Sequence, residues 1–274
     1  MTDNTLVELS RRMRLSVLEM AYQCDGPAHL GGALSIIEIL AVLYGKVLKH
    51  DPAKPYWEER DRFILSKGHG VLAFYAALYH HGYFSRKILN TFKQNGSDLI
   101  AHPVMNLSLG IESSNGSLGH GLSMSTGIAW GLRFKNSSSR VYTLLGDGEC
   151  DEGSVWEAAA AASRLELSNL TAIVDCNKFQ SDGAVAYDNL ADSLSDKWKS
   201  LGWHVSTVFG HSISELSRAL EFNDERKSLK KPKVILALTE KGHGVSFMRQ
   251  NNLWHHNRLT ENLFNKAREE VVNE

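Results

Sequence analysis

Asp147 stands between two glycines in Leu145-Gly146-Asp147-Gly148-Glu149-Cys150-Asp151-Glu152-Gly153. The apolar, β-prone run Val141-Tyr142-Thr143-Leu144-Leu145 precedes it, and the helix-forming run from Val155 to Ala162 follows. A carboxylate is therefore expected where a buried strand turns into a helix. A second β-prone run, Leu170 to Asp175, ends at Cys176-Asn177-Lys178. An Asp after one strand and an Asn after the next can converge on one cation through oxygen, the donor that Mg²⁺ or Ca²⁺ prefers. Flanking glycines let backbone approach a phosphate, and a helix N-terminus favours its charge. Gly-Asp-Gly by itself is also ordinary turn chemistry; the second half at this spacing turns the reading towards a metal and diphosphate site.

Histidines in glycine-rich turns form the other set that could do chemistry: His29, His69, His102, His120, His243 and His255. A single loop histidine is usually a surface residue. Several together suggest a polar pocket around an anionic or hydroxyl-bearing ligand. Neither HExxH nor CxxC spacing is present to support zinc.

The elements that must position these groups alternate. Strands are expected near 62–65, 141–145, 170–175, 203–208 and 233–239. Helices are expected near 4–23, 33–48, 70–81, 85–93, 119–135, 153–165, 189–200 and 213–222, with a terminal helix over 261–274. This predicts an α/β fold with a mainly parallel sheet flanked by helices, one domain over 1–274. In such sheets ligands lie beyond the carboxyl ends of the strands, where Asp147 and Asn177 both fall. The 119–135 helix carries Gly121, Ser123, Ser125, Gly127, Ala129 and Gly131. Gly costs helix stability, so another element should approach closely, from this domain or from a second subunit.

The chain has 274 residues, with 30 basic against 31 acidic. No basic stripe suggests nucleic acid. No apolar run of membrane-spanning length and no leader is evident. Cys24, Cys150 and Cys176 have no disulfide or metal spacing and read as small buried hydrophobes, which fits a cytoplasmic location. GxxxxGK[ST] is absent, and the glycines at 146, 148 and 153 miss GxGxxG, which argues against nucleotide binding.

Taken together, the Gly-Asp-Gly-Glu turn and Asn177 resemble the metal and diphosphate signature of thiamine diphosphate enzymes. Further segments resemble the transketolases: Ala28 to Ser35 (AHLGGALS), Arg60 to Gly70 (RDRFILSKGHG), Ala101-His102-Pro103, Gly116 to Gly121 (GSLGHG) and Trp254-His255. The resemblance runs from about residue 10 to about 258, in the family's order.

It implies metal ligation of Mg²⁺ (or Ca²⁺ in its place) by Asp147, Asn177 and the Phe179 carbonyl. It implies cofactor binding by His69, Gly116, Ser117, Leu118, Gly146, Asp147, Gly148, Asn177 and His255. His29, His69, His102 and His255 would surround the cofactor and donor sugar, hydrogen-bonding hydroxyls and moving protons. Glu152 matches a family glutamate at the subunit interface, and as a helix N-terminal charge it is favoured anyway. There are departures. His120 stands where the family usually has Gln, Ser117 replaces a Pro, and Ser181 stands where an apolar Ile often lines the cofactor rings. These changes bear on sugar specificity and leave the metal set intact.

In the family the glutamate that activates the cofactor belongs to a pyrimidine-binding domain, which the resemblance implies would come from another polypeptide. The resemblance thus implies the N-terminal subunit of a split transketolase, moving a two-carbon ketol unit between sugar substrates. The partner would be a C-terminal subunit, in an α₂β₂ heterotetramer. Two other readings are the α subunit of a 2-oxoacid dehydrogenase or other thiamine diphosphate lyase, and a non-catalytic scaffold. The SKGHG segment and the histidines weigh against the first. The retained Asp147 and Asn177 weigh against the second.

Overall fold

The computed structural model describes residues 1–24, 26–185, 190–221 and 230–273. Its strands are β1 (Pro27–Ala28), β2 (Arg62–Leu65), β3 (Val141–Gly146), β4 (Leu170–Cys176), β5 (Phe179–Gln180), β6 (Gly183–Ala184), β7 (His204–Phe209), β8 (Lys233–Leu238) and β9 (Asn257–Arg258). Its α-helices are α1 (Asp3–Gln23), α2 (Gly31–Leu34), α3 (Ile37–Val42), α4 (Val71–His80), α5 (Arg86–Leu89), α6 (His120–Phe134), α7 (Gly153–Arg164), α8 (Leu190–Ser200), α9 (Ile213–Leu220) and α10 (Glu261–Asn273).

Five strands form one parallel sheet in the order β2-β3-β4-β8-β7, with Leu144 beside Ile173 and Ile173 beside Ile235. Side chains of a strand alternate between the two faces of its sheet. Tyr142, Leu144, Ile173 and Ile235 therefore pack on one side, into the core made with α1, α3, α4 and α9. Val141, Leu145, Val174 and Leu236 pack on the other, against α6, α7 and α8. Because the strands run parallel, all their carboxyl ends share one edge. The five central strands and the helix-flanked parallel sheet are as the sequence predicts.

Three details differ from expectation. The helix expected over 33–48 is broken into α2, α3 and a π-helical turn, Leu43–Val47. The first break turns Ser35 inward, where its hydroxyl donates to Gly32 O at 3.1 Å and to Asp175 Oδ2 at 2.7 Å. The helix expected over 85–93 is only α5, followed by turns in which Lys93 takes a left-handed φ of 58°. The two-residue strands β1, β5, β6 and β9 carry too little periodicity to be seen in sequence. Asn189, Phe222 and Glu274, at the ends of three expected helices, lie outside the described residues.

The small residues of α6 serve two ends. A Cβ on Gly121 would lie 2.4 Å from Ser66 Cβ, so that glycine packs within the chain. Gly127 and Gly131 face open space, beside Trp130 and Phe134, which are 54% and 84% exposed. No helix among the described residues is long and apolar enough to cross a membrane.

Candidate active site

Asp147 leaves the end of β3 and Asn177 the end of β4, and the two adjacent strands bring them together by register. Both are buried, at 2% and 5% exposure. The Asp147 carboxylate accepts from Gly148 N at 2.9 Å and Lys178 N at 2.6 Å. Asn177 Oδ1 accepts from Phe179 N at 3.0 Å, while its Nδ2 donates to Asp175 Oδ2 at 2.7 Å. The turn is tight: a Cβ on Gly148 would meet Gln180 Cβ at 2.9 Å. Burial pushes the Asp147 carboxyl up to about 7, and the neighbouring Asp175 adds to the rise.

Asp175 is a hub to which the sequence alone assigns no role. It is fully buried and accepts from Lys67 Nζ at 2.5 Å, from Ser35 and Asn177, and from the Thr239 hydroxyl. Burial raises its proton affinity, but Lys67 together with the Thr239 and Ser35 hydroxyls holds it below the usual carboxylate range. Lys67 follows β2 and Thr239 follows β8, so one carboxylate ties the loops after β2, β4 and β8 together. Glu149 does similar work on the other side. Its carboxylate accepts from Gly119 N at 2.9 Å, Gly146 N at 3.0 Å and the Ser66 hydroxyl.

Lys241 is a second buried lysine that no sequence motif marks. Its ammonium meets Asn252 Oδ1 at 2.6 Å and His255 Nδ1 at 2.9 Å. Burial, with Lys67 nearby, brings it down to about 8. Two lysines therefore stand near Asp147 at the sheet edge.

The four expected histidines converge. His29 lies at the centre, with ring centroids 5.7 Å from His69, 5.6 Å from His102 and 5.5 Å from His255. A fifth, His256, lies closer still at 4.4 Å. The adjacent pair His255-His256 is its only signal in the sequence. Burial, then His256, brings His29 down to about 3. Burial, then Lys241, brings His255 down to about 4. His69 and His102 are lowered too, by burial first. These four rings are neutral at pH 7. They can donate and accept hydrogen bonds but are not standing cations.

Other expected residues are placed as follows. Gly116 lies against His102, where a Cβ would be 3.7 Å from the ring. Ser117 is exposed and Leu118 half-buried in the bend before α6. Glu152 is the exposed N-cap residue of α7 and makes no side-chain cap hydrogen bond. His120 is exposed at the start of α6. Ser181 is exposed and its carbonyl accepts from Asn252 Nδ2 at 3.0 Å. Cys150 and Cys176 are buried free thiols.

His243 stacks on His211 at 3.5 Å, beside Glu38. Their potential ligand atoms lie within 4.8 Å. Glu240 N donates to His211 Nε2 at 2.9 Å, so the ring proton sits on Nδ1 and goes to Glu38 at 2.9 Å. Arg14 takes the other Glu38 oxygen. This donor set is already used within the protein, joining the loops after β7 and β8 to α1 and α3.

The donors expected from the sequence for a metal, the Asp147 carboxylate, Asn177 Oδ1 and the Phe179 carbonyl, are all oxygens. That set fits a hard cation such as Mg²⁺. A parallel α/β sheet with this edge defines a class of diphosphate-cofactor domain. The chain belongs to the transketolase family: the model of the transketolase thiamine diphosphate binding domain matches residues 3–272. It is 42% identical over 249 residues to the 6-deoxy-6-sulfo-D-fructose transketolase subunit SqwG of Clostridium sp. (strain MSTE9), covering 91% of this chain and 90% of that one. It is 37% identical to an apulose-4-phosphate transketolase subunit of Phocaeicola vulgatus, covering 97% and 94%. Human transketolase is 34% identical, with 98% of this chain but 42% of that one covered. The solved transketolase of Campylobacter jejuni superposes with a TM-score of 0.89 at 28% identity, over 99% of this chain and 43% of that one.

Proposed function

We propose that this chain is the diphosphate-binding subunit of a two-subunit, cytoplasmic transketolase that moves a two-carbon ketol unit from a ketose to an aldose. The observation that carries the reading is the meeting of Asp147 and Asn177 at the same sheet edge as the histidine cluster. Asp147, Asn177 and the Phe179 carbonyl would hold Mg²⁺, and Lys241 would face the diphosphate. Thiamine diphosphate, when bound, supplies a nucleophilic carbon for attack on the donor carbonyl. The chain's own part is to bind, orient and handle protons. Neutral His29, His69 and His102 can accept a hydroxyl proton at one ring nitrogen while donating from the other, and His255, whose Nδ1 accepts from Lys241, can donate from Nε2. Asp175 and Glu149 keep the surrounding loops fixed, so these groups need not reorganise.

The relatives support a partner. Two of them are named as subunits, and this chain spans nearly their whole length but less than half of human transketolase. The partner would bring the pyrimidine-binding domain, in an α₂β₂ assembly. The exposed Gly127, Gly131, Trp130 and Phe134 face of α6, and exposed Glu152, suit a contact between subunits. Sugar phosphates or related anionic sugars would be the substrates, in keeping with those relatives. Calorimetry of Mg²⁺ and thiamine diphosphate binding tests the assignment, with Asp147→Ala as the control. Unchanged affinity in that variant would remove the assignment.

A further inference from the structure

We propose that His256 is a donor-binding residue, which with His29 forms a two-imidazole clamp on the ketose hydroxyls beyond the bond that breaks. The proposal rests on the transketolase reading and adds a residue that the sequence motifs do not single out. Strand β1 pairs antiparallel with β9, Pro27 with Arg258 and Ala28 with Asn257. The next pair outward in this register is His29 with His256. Their rings are 4.4 Å apart and tilted by 34°. Two short strands thus set the separation of two imidazoles, as a cross-strand pair is set in any antiparallel ladder.

Three features point to a hydroxylated ligand beside the paired rings. His29, His69 and His256 line one small cavity with Lys93, of about 10 Å³, room for a single water or hydroxyl. Among the described residues, His29, His69, His102 and His256 make no hydrogen bond, whereas His255 is engaged by Lys241. Their ring nitrogens are therefore open to a ligand, and an imidazole can pair with a hydroxyl. Lastly, His256 is exposed while Asp147 and Asn177 are buried, so His256 stands at the mouth of the site. It would meet the distal part of a substrate whose reacting end lies inside. Lys93 donates to Pro27 O at 2.8 Å and braces β1.

The test compares two donors in the assembled enzyme. Xylulose 5-phosphate has hydroxyls beyond the reacting bond; hydroxypyruvate has none. In His256→Ala, the kcat/KM for xylulose 5-phosphate relative to hydroxypyruvate should fall about tenfold, through KM, a loss of ~1.4 kcal/mol in discrimination. His256→Gln, which keeps a donor and an acceptor, should recover most of it. A ratio within twofold of wild type, or equal losses with both donors and no rescue, overturns the proposal. If the assembled wild type uses neither donor, it is the transketolase reading that fails. His256 is then judged by binding. Imidazole resonances of the ¹⁵N-histidine-labelled full chain, titrated with xylulose 5-phosphate, should shift at His29 and His256 together, and unshifted resonances overturn the clamp.

Discussion

Lys67 Nζ and Asp175 Oδ2 lie 2.5 Å apart, with both side chains fully shielded from solvent. The pair holds the end of β2 to the end of β4, beside the Asn177 that Asp175 also anchors. Removing one partner of a buried pair leaves a bare charge, at a cost of roughly 3–5 kcal/mol. Lys67→Met should therefore lower stability by about that amount. Chemical denaturation that shows a loss under ~1 kcal/mol would contradict the hub.

Asp147→Ala removes the one charged ligand proposed for Mg²⁺. Thiamine diphosphate binding by the assembled enzyme should weaken at least about tenfold, or ~1.4 kcal/mol. The fold should persist, because the Asp147 carboxylate accepts only from two backbone N–H groups, those of Gly148 and Lys178. Titration calorimetry and circular dichroism check the two halves of this prediction.

His69→Ala and His102→Ala each remove a neutral imidazole from the cluster. Loss of a positioned proton-transfer group typically costs on the order of a hundredfold in rate. Turnover at wild-type rate in both variants would make these residues structural.

Glu38 gives a pH signature away from the site. Burial raises its proton affinity, but the hydrogen bond from His211 and the charge of Arg14 bring its carboxyl down to about 2. A folded value below the unfolded one means that the ionised form stabilises the fold. The contribution, on the order of 3 kcal/mol, is complete above about pH 4.5 and is lost as pH falls towards 2. Glu38→Gln should be less stable than wild type at pH 7, with a gap that narrows below pH 4.5. A gap that stays constant down to pH 3 contradicts this.

Much of the site is legible in the sequence because its residues sit in short motifs at strand ends. Asp147, Asn177 and the five central strands follow from short apolar, β-prone runs that end in polar or glycine residues. Lys67, Lys241 and Asp175 are not, because their roles depend on which loops meet across the sheet edge, and one sequence does not display that. Glu149 lies inside the Gly-Asp-Gly-Glu turn, yet only its hydrogen bonds to Ser66, Gly119 and Gly146 show what it holds together. His256 depends on a two-residue register, too short to leave a period. The broken helix at Ser35 is hidden for the opposite reason: local propensity favours a continuous helix, and a hydrogen bond to Asp175 overrides it.

The central claim is that this chain supplies half of a thiamine diphosphate site. The direct measurement is ketol transfer by the purified chain with Mg²⁺ and thiamine diphosphate, alone and after adding a second subunit of roughly 300 residues, about two further domains. Negligible transfer by the chain alone, and transfer on addition of that subunit, is the predicted result. Robust transfer by the isolated chain, shown by mass spectrometry to be free of other proteins, would contradict it.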